Sequence, residues 1–254
     1  MKFKISYFTN RGSMRELNED SILVDDLLIS SFDMEDHKDA ILVKDKILFV
    51  VADGMGGHAK GEVASKFVLT KLKQQMTSLK DVKTLREQLH CIKNDLDDFA
   101  QHNPEFLDMG TVLAGILIIG NKLIVFNIGD CRVYQNNFGY LEQLNEDHSL
   151  VYALYKSGDI EYNQMKDHPK KNIVLSALIA NKLERLDSIF VKEIEALSND
   201  KEFLICSDGL WESMTIEEME DCMKSDNLME CLKLKTFANG AKDNFSIINI
   251  RIEK

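Results

Sequence analysis

The chain has 254 residues, 44% apolar and 29% charged, an ordinary balance for a soluble globular protein. Its formal net charge of −11 argues against a nucleic-acid partner, which needs a basic footprint, and would repel phosphorylated substrates unless bound cations reversed the field locally. The longest apolar run, near Val112–Ile119, is too short for a bilayer, and the start MKFKISYFTN lacks the apolar core of a secretory signal, so the expectation is no membrane partner and a cytoplasmic location.

In chain order, RELNED (Arg15–Asp20) leads into a short strand, SILV, and KILFVVAD reads as a buried strand ending at Asp53. Gly61–Met76 follows as a helix with Val63, Phe67, Val68 and Leu72 inward. Val82–Phe99 is a second helix, because Val82, Leu85, Leu89, Ile92, Leu96 and Phe99 recur at steps of three and four, and the two helices are expected side by side. TVLAGILIIG, NKLIVFNIGD and CRVYQNN are strands with tight turns predicted at GNK and NNFG. The highly charged stretch Ser157–Asn172 is expected to be an exposed flap. FLICSD and FSIINIRI are further strands, separated by helices over Thr215–Met223 and Asn227–Phe237. Strands and helices that cluster rather than alternate predict an α+β chain of antiparallel sheets with helices packed outside, not a Rossmann arrangement. No linker composition interrupts 1–254, so one domain is expected.

The cysteines, Cys91, Cys131, Cys206, Cys222 and Cys231, form no CxxC pair and are read as reduced and mostly buried. None has an Arg six positions later, which excludes a cysteine-based phosphatase.

Acids recur at the ends of apolar runs. Asp53 and Asp208 each stand between an apolar strand and a Gly, Asp130 follows FNIG, Asp243 precedes FSIINI, and Glu19 and Asp20 precede SILV. Taken singly, each Asp is more often a turn former or a helix cap than a ligand. Together, several carboxylates on one rim repel one another and must take up protons or cations, and oxygen donors without His or Cys suit hard ions such as Mg²⁺ or Mn²⁺. In an extended segment Glu19 and Asp20 point to opposite faces, so only one reaches such ions directly. The Gly54 carbonyl is a further candidate donor, since a glycine lets the backbone approach closely.

RELNED, VADGMGGHAKGEVAS, MGTV, NIGDCRVY, EDHS, NIVLSAL, SDGLWE and KDNFSIINI, in that order, resemble the motifs of the metal-dependent serine/threonine protein phosphatases of the 2C type, in their compact bacterial form. The resemblance covers nearly the whole chain. It implies two antiparallel sheets stacked as a sandwich with helices on both outer faces, and a binuclear Mn²⁺ or Mg²⁺ centre at one end, with a third ion in some relatives. Asp53 would bridge the pair and Gly54 would give its carbonyl to one ion. Asp208 and Asp243 would hold the other ion, and Glu19 would reach the second site directly or through water. Asp20 would orient ligands or bound water. Asp130 and Asp147 are candidates for the third ion. The ions would activate a bridging water for direct attack on phosphorus, with no phosphoenzyme.

Arg15 matches the residue that forks onto the substrate phosphate. His58 is a candidate general acid or water-positioning group, or only structural; Met55, where some relatives have His, is read as packing. Thr111 fits a buried threonine, whereas Val112 and Cys131 replace a usual Thr and Ser, and NIVLSALIANK lacks the usual Arg and Gly. Those departures bear on the flap and on substrate preference. The implied partners are phosphoserine and phosphothreonine proteins, including a serine/threonine kinase or its substrates. A phosphatase-like binding module without turnover, and a metal phosphoesterase for small molecules or nucleotides, are the alternatives.

Overall fold

The computed structural model describes residues 1–56, 60–194 and 200–253. The chain opens with β1 (Lys2–Asn10), β2 (Ser21–Val24), β3 (Leu27–Ser30), β4 (Lys38–Val43) and β5 (Lys46–Met55), then α1 (Gly61–Gln75) and α2 (Val82–His102). β6 (Gly110–Ile119), β7 (Lys122–Ile128), β8 (Arg132–Asn137) and β9 (Tyr140–Gln143) form a run of strands before α3 (Leu150–Ser157). After β10 (Leu178–Ile179), β11 (Phe190–Ile194) and β12 (Glu202–Cys206) come α4 (Asp208–Trp211), α5 (Ile216–Met223), α6 (Leu228–Ala238) and β13 (Phe245–Glu253).

The strands form two antiparallel sheets. One runs β4-β1-β13-β12-β8-β9; the other runs β11-β7-β6-β5-β2-β3, with β10 paired to β6. β5 shows why they stack. Ile47, Phe49 and Val51 point between the sheets, whereas Leu48, Val50 and Ala52 point to the other face, against α1 and α2. A strand alternates faces residue by residue, so one covered on both sides must be apolar throughout. Met219, Cys222, Met229 and Leu232 of α5 and α6 pack with the sandwich core, and these helices lie against β9 and β1 of the six-stranded sheet. Helices thus flank both outer faces of an α+β sandwich.

The two helices expected side by side are in contact, with the Phe67 and Phe99 rings 5.2 Å apart. The buried stripe of α1 is rotated from the expected one. Ala64, Ser65, Val68, Leu69 and Leu72 are buried and Val63 and Phe67 only partly so, because the Ser65 hydroxyl donates to the Glu19 carbonyl oxygen at 2.6 Å and turns that face toward the β2 entry. Both hairpin turns form, Gly120 having φ +56°, and Phe138 and Gly139 having φ +57° and +93°. Residues 158–172 hold one 3-10 turn, Tyr162–Gln164, and are mostly exposed.

The expectation of reduced cysteines is corrected at one pair. Cys222 and Cys231 form a disulfide with Cα atoms 5.4 Å apart, because α5 and α6 lie against each other. Cys131 and Cys206 are free and buried; Cys91 is free and exposed.

Candidate active site

One end of the sandwich opens into a cleft of about 1440 Å³. Glu19, Asp53, Asp130, Asp208 and Asp243 all line it, together with Arg15 and Gly54. The acids do not come from the strand ends of a single sheet. Glu19 and Asp53 belong to the β2 entry and to β5 in the seven-stranded sheet, whereas Asp208 and Asp243 follow β12 and precede β13 in the six-stranded sheet. Asp130 lies on the connection that passes from β7 in one sheet to β8 in the other. The cleft is therefore a seam between the layers.

Local structure sets each side chain. β5 does not stop at Asp53. It continues in register with β6 through Asp53↔Val112 and Gly54↔Thr111 to Met55↔Gly110. The buried Thr111 hydroxyl donates to the Asp53 carbonyl oxygen at 2.7 Å, which fixes the backbone at the point where the carboxylate leaves the strand. A Cβ on Gly54 would lie 2.2 Å from the Gly61 carbonyl oxygen, so only glycine lets the start of α1 close on the strand. That approach brings the Gly61 N–H to the Glu19 carboxylate at 3.2 Å.

Across the seam, the Asn244 side chain donates to the Arg11 and Leu17 carbonyls at 3.0 and 2.9 Å and accepts from the Glu19 N–H at 2.8 Å. This holds the loop bearing Arg15 and Glu19 over the cleft. Arg15 reaches Asp243 at 2.7 Å, and that bond holds its guanidinium more firmly protonated than usual. Asp20 does not line the cleft. It is buried beneath it, accepting from the Ser207 hydroxyl at 2.8 Å, so Glu19 and Asp20 diverge as an extended segment requires.

The electrostatics are those of crowded carboxylates. Burial, opposed by hydrogen bonds from Ser246 and Ser207 and reinforced by Asp208 and Asp243, pushes Asp20 up to about 7. Burial and the charges of Asp243 and Glu212 push Asp208 up to about 7. Burial, then the charges of Asp20 and Asp208, push Asp53 well above the carboxylate range. Asp130 is raised by burial and by Asp208 and Asp147, and Glu19 by burial, partly offset by the Gly61 N–H.

Groups this crowded either keep protons or exchange them for cations. The donors are all oxygen, the choice of a hard divalent ion, and Asp20 Oδ1 and Asp208 Oδ1 are buried without a hydrogen-bond partner. The residues present thus fit such an ion. Among the described residues no three of them are already closed into a chelate, and Asp243 turns to Arg15.

A protein phosphatase 2C profile matches residues 34–233. The chain belongs to the protein phosphatase 2C family. The serine/threonine phosphatase stp of Listeria welshimeri is 30% identical over 251 residues, covering 94% of this chain and 92% of that protein. The serine/threonine protein phosphatase PstP of Mycobacterium tuberculosis is 28% identical over 246 residues, covering 94% of this chain and 43% of PstP. The crystal structure of the M. tuberculosis phosphatase PstP/Ppp superposes with a TM-score of 0.82 at 26% identity, with both chains covered completely. The PstP catalytic domain in complex with two manganese ions shares the fold at a TM-score of 0.78 and 24% identity, with both chains again covered completely.

One expected candidate for the third ion stands apart from the cleft. Asp147 does not line the cleft; the buried Arg132 donates to it from Nε and Nη2 at 2.9 and 2.7 Å and Gln143 donates at 2.7 Å. His58 lies outside the described residues. Met55 lines the cleft and packs on the core.

The sequence gives no role to Trp211, Arg132, Ser207 or Asn244. Trp211 donates from its indole N–H to the Asp130 carbonyl at 3.1 Å, and its ring lies 3.6 Å from the Arg132 guanidinium carbon, tying α4 to the β7–β8 connection. The one available signal was the chain's single Trp standing three residues after Asp208.

Proposed function

We propose that this cleft hydrolyses phosphoserine and phosphothreonine esters of proteins, using two Mn²⁺ or Mg²⁺ ions. The observation that carries this reading is the convergence of Glu19, Asp53, Asp130, Asp208 and Asp243 from both sheets on one cleft, with Arg15 at its rim. Asp53 and the Gly54 carbonyl would hold the ions on one side, and Asp208 and Asp243 on the other, with Glu19 completing the set. Asp130 is the candidate for a third ion, and the buried Asp20 would orient the donors from beneath. When bound, the ions supply Lewis acidity and neutralise charge on the phosphoryl oxygens.

The chain's own groups supply the rest. Arg15, exposed at the rim, would leave Asp243, fork onto two phosphate oxygens and orient the ester for in-line attack. His58 would give a proton to the departing serine or threonine oxygen. Residues 158–172 would act as a flap, since Lys166, His168 and Lys171 form one wall of the cleft and Lys171 is ion-paired to Glu212. The cleft suits a protruding side chain on a protein rather than an enclosed small ligand. Residues 1–254 would act as one domain, in the cytoplasm, on the products of a serine/threonine kinase. Among the described residues no helix is long and apolar enough to cross a membrane.

The test is release of phosphate from a phosphothreonine peptide. We expect turnover with Mn²⁺, none with excess chelator, and a loss of at least ~10³-fold in kcat for Asp53→Asn or Asp208→Asn. Stoichiometric peptide binding without phosphate release at saturating Mn²⁺ would make the protein a binding module instead, and a nucleotide outperforming every phosphopeptide in kcat/KM would make it a small-molecule phosphoesterase.

A further inference from the structure

Between Asp208 and Asp243 the chain leaves the cleft as α4, α5 and α6 and then returns to it. The two feet of this excursion are bound together, the Asn239 side chain donating to the Ser213 carbonyl at 2.9 Å. The returning foot also grips the loop that carries Arg15, through Ser13 N–H to the Ala241 carbonyl at 2.7 Å and through Asn244. Higher up, α5 and α6 are joined by the Lys235 ammonium on the Glu218 carbonyl and by the Cys222–Cys231 bond.

We propose that Cys222 and Cys231 are a reversible thiol–disulfide switch that sets how firmly this excursion presents Asp208 and Asp243 to the cleft. Two features support it. The Cα separation of 5.4 Å lies within the disulfide range, so the bond can open and close without moving the helices apart. The two cysteines differ in access, Cys222 being fully buried and Cys231 only partly, which gives an incoming reagent one point of entry. In a reducing compartment such a bond is transient and redox-sensing rather than permanent.

The oxidant is a low-molecular-weight disulfide of the glutathione class. The Cys231 thiolate attacks one of its sulfurs and expels one small thiolate. The Cys222 thiol then loses its proton and attacks the Cys231 sulfur of the mixed disulfide, forming the protein bond and expelling the second thiolate. Two protein thiols are oxidised, one small disulfide is reduced to two thiols, and the protons pass to the departing sulfurs.

The test equilibrates the full chain in glutathione buffers of graded ratio, traps free thiols by alkylation and maps peptides by mass. The expected result is a linked 222–231 pair that forms and opens across those buffers, with Cys91, Cys131 and Cys206 alkylated after denaturation. Opening the bond should lower Tm by roughly 5–10 °C. It should also weaken Mn²⁺ binding several-fold, read from Trp211 fluorescence and therefore independent of turnover. Cys231→Ser should match the reduced protein in both buffers. The switch is overturned if no linked peptide forms at any ratio, if the bond resists reduction at every ratio, or if oxidised and reduced protein agree in both Tm and Mn²⁺ affinity. Because thiol state, melting and metal binding are read without substrate, failure here is distinct from failure of the phosphatase reading.

Discussion

The repeated Asp-Gly has a packing cause at the scale of single residues. In a sequence the dipeptide signals a turn, yet Gly54 lies inside β5 and Gly209 inside α4. What each glycine provides is absence of bulk. A Cβ on Gly54 would meet the Gly61 carbonyl oxygen at 2.2 Å, and one on Gly209 would meet the Asn244 carbonyl oxygen at 2.0 Å. In both cases the obstacle is backbone, at the start of α1 for Gly54 and beside the cleft residue Asp243 for Gly209, so the neighbour cannot rotate away. Gly54→Ala and Gly209→Ala should each cost about 1–3 kcal/mol in urea unfolding and weaken Mn²⁺ binding measured by calorimetry. The positions of the acids were legible in the sequence because each closes or opens an apolar run. Asn244, Ser207 and Trp211 were not, because their work is done through hydrogen bonds to backbone far away in sequence, which no local pattern records.

Among the elements, those with strong periodicity or complete burial were readable. α2 has an unbroken apolar stripe and a capping box in which the Asp81 carboxylate accepts from the Thr84 N–H at 2.8 Å. β5, β6 and β7 are apolar on both faces because both faces are covered. β4 was not readable, since it is an edge strand whose Ile41 and Val43 are exposed, so its pattern carries no burial signal. β1 does alternate, with Phe3, Ile5 and Tyr7 buried, and its signal lies in residues more easily weighed as a leader segment. α5 lies where a helix over Thr215–Met223 is expected, with Thr215 as its cap, the hydroxyl accepting from the Glu218 N–H at 3.2 Å and the Glu218 carboxylate from the Thr215 N–H at 2.9 Å. Thr215→Ala should therefore destabilise the chain by about 1 kcal/mol, seen as a lower urea midpoint at unchanged slope.

For the molecule as a whole, the carboxylate cluster couples stability to pH and to metal. Asp20 and Asp208 titrate near 7 in the folded chain, against a carboxylate value of 3.8. Groups whose folded pKa is raised bind protons more tightly when folded. Their contribution is thus complete below the unfolded value and is lost as pH rises through about 7. In chelator, Tm should be higher at about pH 5.5 than at about pH 8. With saturating Mn²⁺ the order should reverse, because cations displace the same protons and bind better once they are gone. Calorimetry at both pH values checks this, and a Tm in chelator that does not fall between them would remove the cluster as the cause. The ordered motifs made the existence of this site legible. That the acids come from two sheets was not, because sequence order does not reveal which layer a strand joins.

The origin of the acids in two layers has a kinetic consequence. Asp53 and Asp208 become neighbours only when one sheet docks on the other, a long-range contact whose loop-closure cost precedes any gain from it. An ion held between them has no partner in a half-assembled chain. Divalent ions should therefore retard the loss of the native state while leaving the rate of its formation almost untouched, so that bound metal acts as a latch on a finished sandwich and not as a seed for building it.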